Sequence, residues 1–301
     1  MPPTHQHMLV LRDLRATVLA DMGRFDEARD ESRRAFELSL ERFGDAHPRT
    51  VFSETNYGLL LANIGAFAEA EPILLSAIAR WERLPPGSEV DAAVTRGALG
   101  AILVDLGRAE EARAILEPAR EFLQEKLGPE HLAVAARSFH LARAYEQLGE
   151  IDEARRLHES TLAIREREQG EGLITADSLH EFGAFLMRRG ELDAARERLD
   201  AALAMRKTLH RRPHVEIAET LAAQAELSMA MGREDDGVRL GEESAQVALE
   251  GRAPPHRRAG CEVTLARALH HRAARGDARR ARSVLDEALV VLSGVFPETS
   301  P

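Results

Sequence analysis

Gly23-Arg-Phe-Asp-Glu-Ala28 recurs as Gly65-Ala-Phe-Ala-Glu-Ala70 and as Gly107-Arg-Ala-Glu-Glu-Ala112. It returns as Gly149-Glu-Ile-Asp-Glu-Ala154 and Gly190-Glu-Leu-Asp-Ala-Ala195, with weaker copies at Gly232-Arg-Glu-Asp-Asp-Gly237 and Gly276-Asp-Ala-Arg-Arg-Ala281. The leading glycines are separated by 42, 42, 42, 41, 42 and 44 residues. A fixed period of this size marks an array in which each unit buries its apolar face against the next. The glycine follows an apolar helical stretch, as in Leu59-Leu60-Leu61-Ala62-Asn63-Ile64, and suits the left-handed conformation that ends a helix. An acidic residue two to four positions later falls in the first turn of the next helix, where the helix dipole favours it.

Three registers of small residues surround each glycine. Five positions after it stands the motif alanine, and twelve after it Ala35, Ala77, Ala119, Thr161, Ala202, Ser244 and Ala288. Seven before it stand Ala16, Gly58, Gly100, Ala142, Gly183 and Ala225. Glycine inside a helix costs about 0.5–1 kcal/mol relative to alanine, so three glycines at one register imply compensation by close helix packing. Gly/Pro clusters such as Phe43-Gly-Asp-Ala-His-Pro48, Leu127-Gly-Pro-Glu-His131 and His210-Arg-Arg-Pro213 stop the second helix of each pair. Breakers this frequent exclude one long coiled coil. The expected organisation is one domain over residues 1–301, with pairs at about 5–43, 48–84, 89–127, 130–169, 173–210, 213–250 and 255–293. Pair six departs from the pattern at Ser228, and Gly237 and Gly241 are expected to weaken its second helix. Pair seven puts Leu269 at a small register, and its arginines, among them Arg257, Arg258, Arg272 and Arg280, fit a solvent-facing cap.

The glycine–alanine spacing with flanking small residues resembles the tetratricopeptide repeat. The 42-residue period, the linkers Phe43-Gly-Asp-Ala-His-Pro48 and Leu127-Gly-Pro-Glu-His-Leu-Ala-Val134, and Leu162-Ala-Ile-Arg-Glu166 resemble the kinesin-light-chain subtype, of which bacteria carry many arrays. The resemblance covers roughly residues 5–293 and implies an all-α, right-handed α-solenoid of about seven helix-turn-helix repeats. It also implies that the first helix of each pair lines a concave groove holding a protein or peptide.

Positions 10, 9, 6, 3 and 2 before each glycine share one helical face. The polar residues there are Asp13, Thr17, Asp21, Thr55, Asn56, Asn63 and Asp105 in repeats one to three, and His140, Arg143, Glu146, Gln147, His180, Glu181, Arg188, Glu226, Arg267 and His270 in the others. Asn56 stands where kinesin-light-chain and chaperone-binding repeats often place an asparagine, whose amide both donates to and accepts from a peptide backbone. The first half of this face holds three aspartates and no arginine, so a bound peptide is expected to place basic residues near Asp13, Asp21 and Asp105. The Lys/Arg–Asn pattern that chaperone-binding repeats use to clamp a terminal carboxylate is absent.

Composition narrows the function classes. Net charge is -10 and both signs are mixed along the chain, which argues against a nucleic-acid surface. No run approaches the roughly 18 apolar residues of a membrane span, and the N-terminus lacks a signal pattern, so a cytoplasmic protein is expected. All basic side chains except Lys126 and Lys207 are arginine, whose planar fork suits ion pairing between adjacent helices. No enzyme is expected: Cys261 lies nine and ten residues from His270 and His271, too far for a nucleophile–base pair on one helix. No cofactor or metal is expected either. The glycines form no phosphate loop. His131, His140 and His158 fall on different faces or helices, and Pro213 breaks any helix that would align His210 with His214. The leading expectation is a non-catalytic interaction scaffold. The alternative is the regulatory or oligomerising arm of a larger signalling system, for example one with a bacterial serine/threonine kinase, or self-association through a terminal repeat.

Overall fold

The computed structural model describes residues 5–210 and 212–295. Fourteen α-helices fill them, and no strand occurs among the described residues. In chain order they are α1 (His5–Asp21), α2 (Phe25–Phe43), α3 (Pro48–Asn63), α4 (Phe67–Trp81), α5 (Glu89–Asp105), α6 (Ala109–Leu127) and α7 (Leu132–Gln147). There follow α8 (Ile151–Gln169), α9 (Leu173–Arg188), α10 (Leu192–Leu209), α11 (Val215–Ala230), α12 (Glu234–Glu250), α13 (Pro255–Arg272) and α14 (Asp277–Val295). The fold is an all-α helix-pair solenoid. The chain forms two compact units, Met1–Ile164 and Arg165–Pro301, whose boundary falls within α8.

Each pair is closed by its motif glycine, whose φ lies between 71° and 95° in all seven copies. At that glycine the chain makes the paired bonds of a helix C-terminus: Gly65 N–H donates to Ala62 and Ala66 N–H to Leu61. The reversal sets the seventh residue before the glycine against the ninth after it. A Cβ on Gly58 would lie 2.7 Å from Leu74 Cδ2, one on Gly100 2.5 Å from Leu116 Cδ2, and one on Gly183 2.8 Å from Leu199 Cγ. Where the seventh position is alanine (Ala16, Ala142, Ala225), the ninth is Ser32, His158 or Gly241 instead of leucine. Glycine therefore faces leucine in these three pairs, and the alanine pairs carry no leucine at the ninth position. The alanines five and twelve after the glycine are sealed in the same contact; Ala28, Ala70, Ala112, Ala35 and Ala77 have no exposed surface.

In the first unit the core is a continuous cluster of Leu61, Leu74, Leu99, Leu103, Leu116, Leu141 and Leu157 with small residues between them. In the second unit Val238, Leu265, Leu269 and Ala281 form one cluster, and Val215, Ala218, Ala248 and Cys261 another.

The last two pairs refine what the sequence led us to expect. Helix α12 runs unbroken through Gly237 and Gly241, and Gly241 brings the α13 backbone so close that an added Cβ would lie 3.1 Å from Leu265 Cα. These glycines permit close approach, and the helix is held by tertiary contact. The arginines of pair seven divide: Arg267, Arg275, Arg279, Arg280 and Arg282 are exposed, as a solvent-facing cap requires, while Arg257, Arg258 and Arg272 are half-buried. Arg257 reaches back to Glu219, Arg280 to Glu242, and Arg272 to Asp235 and Asp277. Meanwhile Leu289 and Val290 on α14 are 61% and 75% exposed.

The glycine–leucine match yields a direct test. Gly100→Ala is expected to lower stability by about 1–3 kcal/mol through overpacking, although alanine is the better helix former. Adding Leu116→Ala should recover part of that loss, so that urea denaturation gives a double-mutant cost well below the sum of the singles. Additive costs would show that the helices move apart freely.

Candidate functional site

Helices α1 and α3 of the first unit frame an open groove of about 560 Å³. Its walls are Val10 and Leu14 on one side and Phe52 and Leu59 on the other, all 44–58% exposed. Buried Ala16, Ser32 and Leu60 lie beneath, while Thr17, Asn56 and Asn63 supply polar atoms. At its centre Asn56 Nδ2 donates to Asp13 Oδ2 at 3.2 Å. The other oxygen, Asp13 Oδ1, is shielded from solvent and has no hydrogen-bond partner within the protein. Burial pushes the Asp13 carboxyl above its ordinary range, and the Asn56 bond offsets this only in part. The groove continues into a cleft of about 360 Å³ lined by Val10, Asp13, Phe52, Trp81 and Asp91, among others. Trp81 is 5% exposed and its indole N–H has no partner within the protein.

The remaining predicted residues of this unit are placed unevenly. Asp21 is exposed at the end of α1. Thr55 is a correction: it is buried, donates to the Val51 carbonyl and meets the Thr95 hydroxyl at 3.3 Å, because its register faces α5. The acidic first half is corrected as well, since Asp105 is paired with Arg143 at 2.8 Å across one repeat. Gln147 donates to the Val104 carbonyl, so it too ties α7 to α5. His140 packs edge-on against Phe139, and Glu146 is half-buried.

Sequence reasoning missed the residues one turn nearer each helix start. Thirteen positions before the glycine lie Val10 and Phe52, the groove walls, and then Asp177 and Glu219. Carrying the same helical face one turn further would have found them. Arg137, twelve before its glycine, was missed for another reason: it fits only because Gly97 on α5 has no side chain. Its guanidinium donates to the carbonyls of Ala133 and Val94, and its Nε has no partner. Desolvation lowers its pKa to about 10.

In the second unit Glu226 accepts from Thr264 Oγ1 and pairs with Arg267 at 3.4 Å. His180 and Glu181 are half-buried, while Arg188 and His270 are exposed. Asp177 pairs with buried Arg206 at 2.6 Å. Burial pushes Glu219 up, but the charge and hydrogen bond of Arg257 outweigh it, leaving the carboxyl below its ordinary range. Cys261 is 1% exposed, and burial pushes its thiol up to about 11, so the nucleophilic thiolate is suppressed. His210 and His214 are another correction. The linker folds them onto each other, with rings stacked 3.9 Å apart beside Glu216.

The sequence description Tetratricopeptide repeat matches residues 7–83, 91–167 and 175–216. The chain belongs to the tetratricopeptide repeat family. Within it, the chain is similar to Protein KINESIN LIGHT CHAIN-RELATED 3 of Arabidopsis thaliana, with 23% identity over 59% of the chain and 28% of the relative. The chain thus spans little more than a quarter of that relative's length. A solved structure of Podosopora anserina putative kinesin light chain TPR-like repeats is 25% identical, covers 66% of this chain and 94% of its own, and superposes with a TM-score of 0.51. NprR in complex with its cognate peptide NprX shares the fold at 12% identity, covering 99% of this chain and 84% of its own with a TM-score of 0.66. No helix among the described residues is long and apolar enough to cross a membrane.

The two kinds of tetratricopeptide-face arginine should respond oppositely to loss of charge. Arg257→Met strands Glu219 and is expected to cost roughly 1–3 kcal/mol. Arg137→Met removes a desolvated cation with no countercharge, and is expected to stay within about 0.5 kcal/mol of the parent or exceed it. Parallel guanidinium denaturation curves compare them directly.

Proposed function

We propose that the chain is a non-catalytic scaffold or adaptor that holds a peptide or protein segment against the first helices of its repeats. The observation that carries this reading is the α1–α3 groove: exposed apolar walls around a shielded carboxylate with one unused oxygen. Elsewhere on this face the polar groups lock repeat to repeat, as Asp105 does with Arg143. An apolar side chain between Leu14 and Phe52, next to a cationic one at Asp13, would satisfy both features of the groove. The complex of NprR with its cognate peptide shows that a protein of similar fold uses it to bind a peptide. Arg137, a cation without a carboxylate partner, suits an acidic group of the ligand.

Selection of a displayed random-peptide library on the intact protein tests this. Apolar–basic sequences are expected to be enriched, and Asp13→Asn is expected to weaken them about tenfold. A cation binds the ionised carboxyl, so affinity should be full above the raised Asp13 pKa and fall as pH drops through it. Asp13→Asn should abolish that dependence. Enrichment unaffected by Asp13→Asn and by Leu14→Glu would reject the groove.

A second reading, an oligomerising or regulatory arm of a larger signalling system, has its own observation. Met8, Leu11 and Val18 lie on one side of α1 around Arg15, with Met22 just beyond its end, and the four are 43–54% exposed. They expose apolar surface apart from that buried through Ala16, Leu19 and Ala20. Light scattering across a concentration series is expected to show a mass above the monomer that Leu11→Glu with Val18→Glu abolishes. A constant monomer would reject self-association.

A further inference from the structure

His210, His214 and Glu216 bring one ligand atom each within 4.8 Å of the others, at the junction of α10 and α11. His210 is the residue that ends α10, and its Nε2 lies 2.7 Å from Glu216 Oε2. His214 caps the N-terminus of α11, with Nδ1 3.8 Å from the same oxygen. The three side chains are 14%, 33% and 22% exposed, so the cluster is shielded but reachable.

The repeats supply an internal control. Three linkers use the same histidine cap: Nδ1 of His47 accepts from Arg49 N–H, that of His131 from Ala133 N–H, and that of His214 from Glu216 N–H. Four residues before the capping histidine stand Phe43, Leu127 and His210 respectively. Phe43 stacks on His47 at 4.8 Å, so a ring on the capping histidine is a structural device of this fold. Only at the α10–α11 junction are both the stacking position and the position two after the cap occupied by metal-ligating side chains. Of the three caps its hydrogen bond is also the longest, at 3.4 Å, against 3.2 Å and 3.0 Å.

We propose that His210, His214 and Glu216 form a site for a divalent cation of the zinc class, which clamps the α10–α11 linker. Two imidazoles and a carboxylate are a donor set that zinc accepts, with a fourth position left for water. Tetrahedral bonds of about 2.0–2.2 Å place donor atoms roughly 3.4 Å apart. The separations of 2.7 and 3.8 Å to Glu216 Oε2 bracket that spacing. The rings now lie 11° from parallel, so their lone pairs lie in near-parallel planes. Binding turns them until the lone pairs converge, and the long cap bond of His214 is the contact given up.

The test uses the full chain, stripped of metal by a chelator and titrated with zinc chloride by calorimetry and in thermal scans. Saturable uptake of one zinc per chain is expected, with a rise in Tm as zinc exceeds its Kd. Cobalt(II) should give the visible absorption of a low-symmetry nitrogen–oxygen site. His210→Phe rebuilds the Phe43–His47 type of stack and keeps the cap, so its metal-free Tm should match the parent. Glu216→Gln keeps the shape and removes the charge. Each is expected to weaken zinc by at least the roughly 10–100-fold that even an outer-shell partner contributes, and to lose the cobalt spectrum. No saturable uptake by the parent, or parent-like uptake by both variants through other histidines, would overturn the proposal.

Discussion

The structure depends on how closely the two helices of a repeat approach each other at one point. In six of the seven pairs the first helix presents a glycine or alanine seven residues before the turn glycine, Leu269 of the last pair being the exception. Gly58, Gly100 and Gly183 each receive a leucine at a distance that would admit no Cβ. Where that position is Ala16, Ala142 or Ala225, the ninth residue after the turn glycine is Ser32, His158 or Gly241. The intrinsic cost of glycine in a helix is offset by a buried leucine that packs against bare backbone. Because the match is local to each hairpin, every repeat sets its own interhelical distance. The remaining contacts of the array are built on hairpins already dimensioned in this way.

Between hairpins a second interaction takes over. Side chains about one period apart meet: Arg108 with Glu71, Arg113 with Glu150, Arg143 with Asp105, Arg257 with Glu219, and Arg280 with Glu242. Each joins residues 37 or 38 apart, just short of the repeat. Buried Arg165 and Arg206 act over a shorter span, each donating to a backbone carbonyl and to the Ser178 or Thr220 hydroxyl of the following helix, while Arg206 also pairs with Asp177. A guanidinium can make several such bonds in fixed directions while an ammonium cannot, which gives the near absence of lysine a structural use.

The helix pairs were legible because their causes are local: a turn glycine, a small register, a breaker. Asn56 and Asp13 were legible as neighbours on one face, and the structure does join them. What could not be read depends on the partner surface. Thr55 shares the helical face of Asn56 but one step of rotation turns it against Thr95. Asp105 looked like a ligand charge until its match one repeat away, Arg143, was placed beside it. His210 and His214 were separated by a helix break at Pro213, and it is that break, a tight linker, that stacks them. A breaker disrupts helical periodicity, but it also creates proximities that periodicity does not describe.

On the proposed reading, these two interactions place the ligand site by subtraction. Most polar groups on the inner face are consumed in holding one repeat to the next, so their presence is no evidence of a ligand. Three exceptions lie in the first unit. Asp13 keeps a shielded oxygen without a partner, Trp81 a buried N–H, and Arg137 a desolvated charge without a carboxylate. An array that satisfies its polar groups by repetition has no reason to leave these unmatched, since each costs stability in the absence of a partner. Apolar walls beside the first two, at Val10 and Phe52, add surface that the fold also leaves uncovered. On the proposed reading, a segment carrying complementary groups recovers both costs at once, so the departures from periodicity that cost the free protein stability become its binding energy.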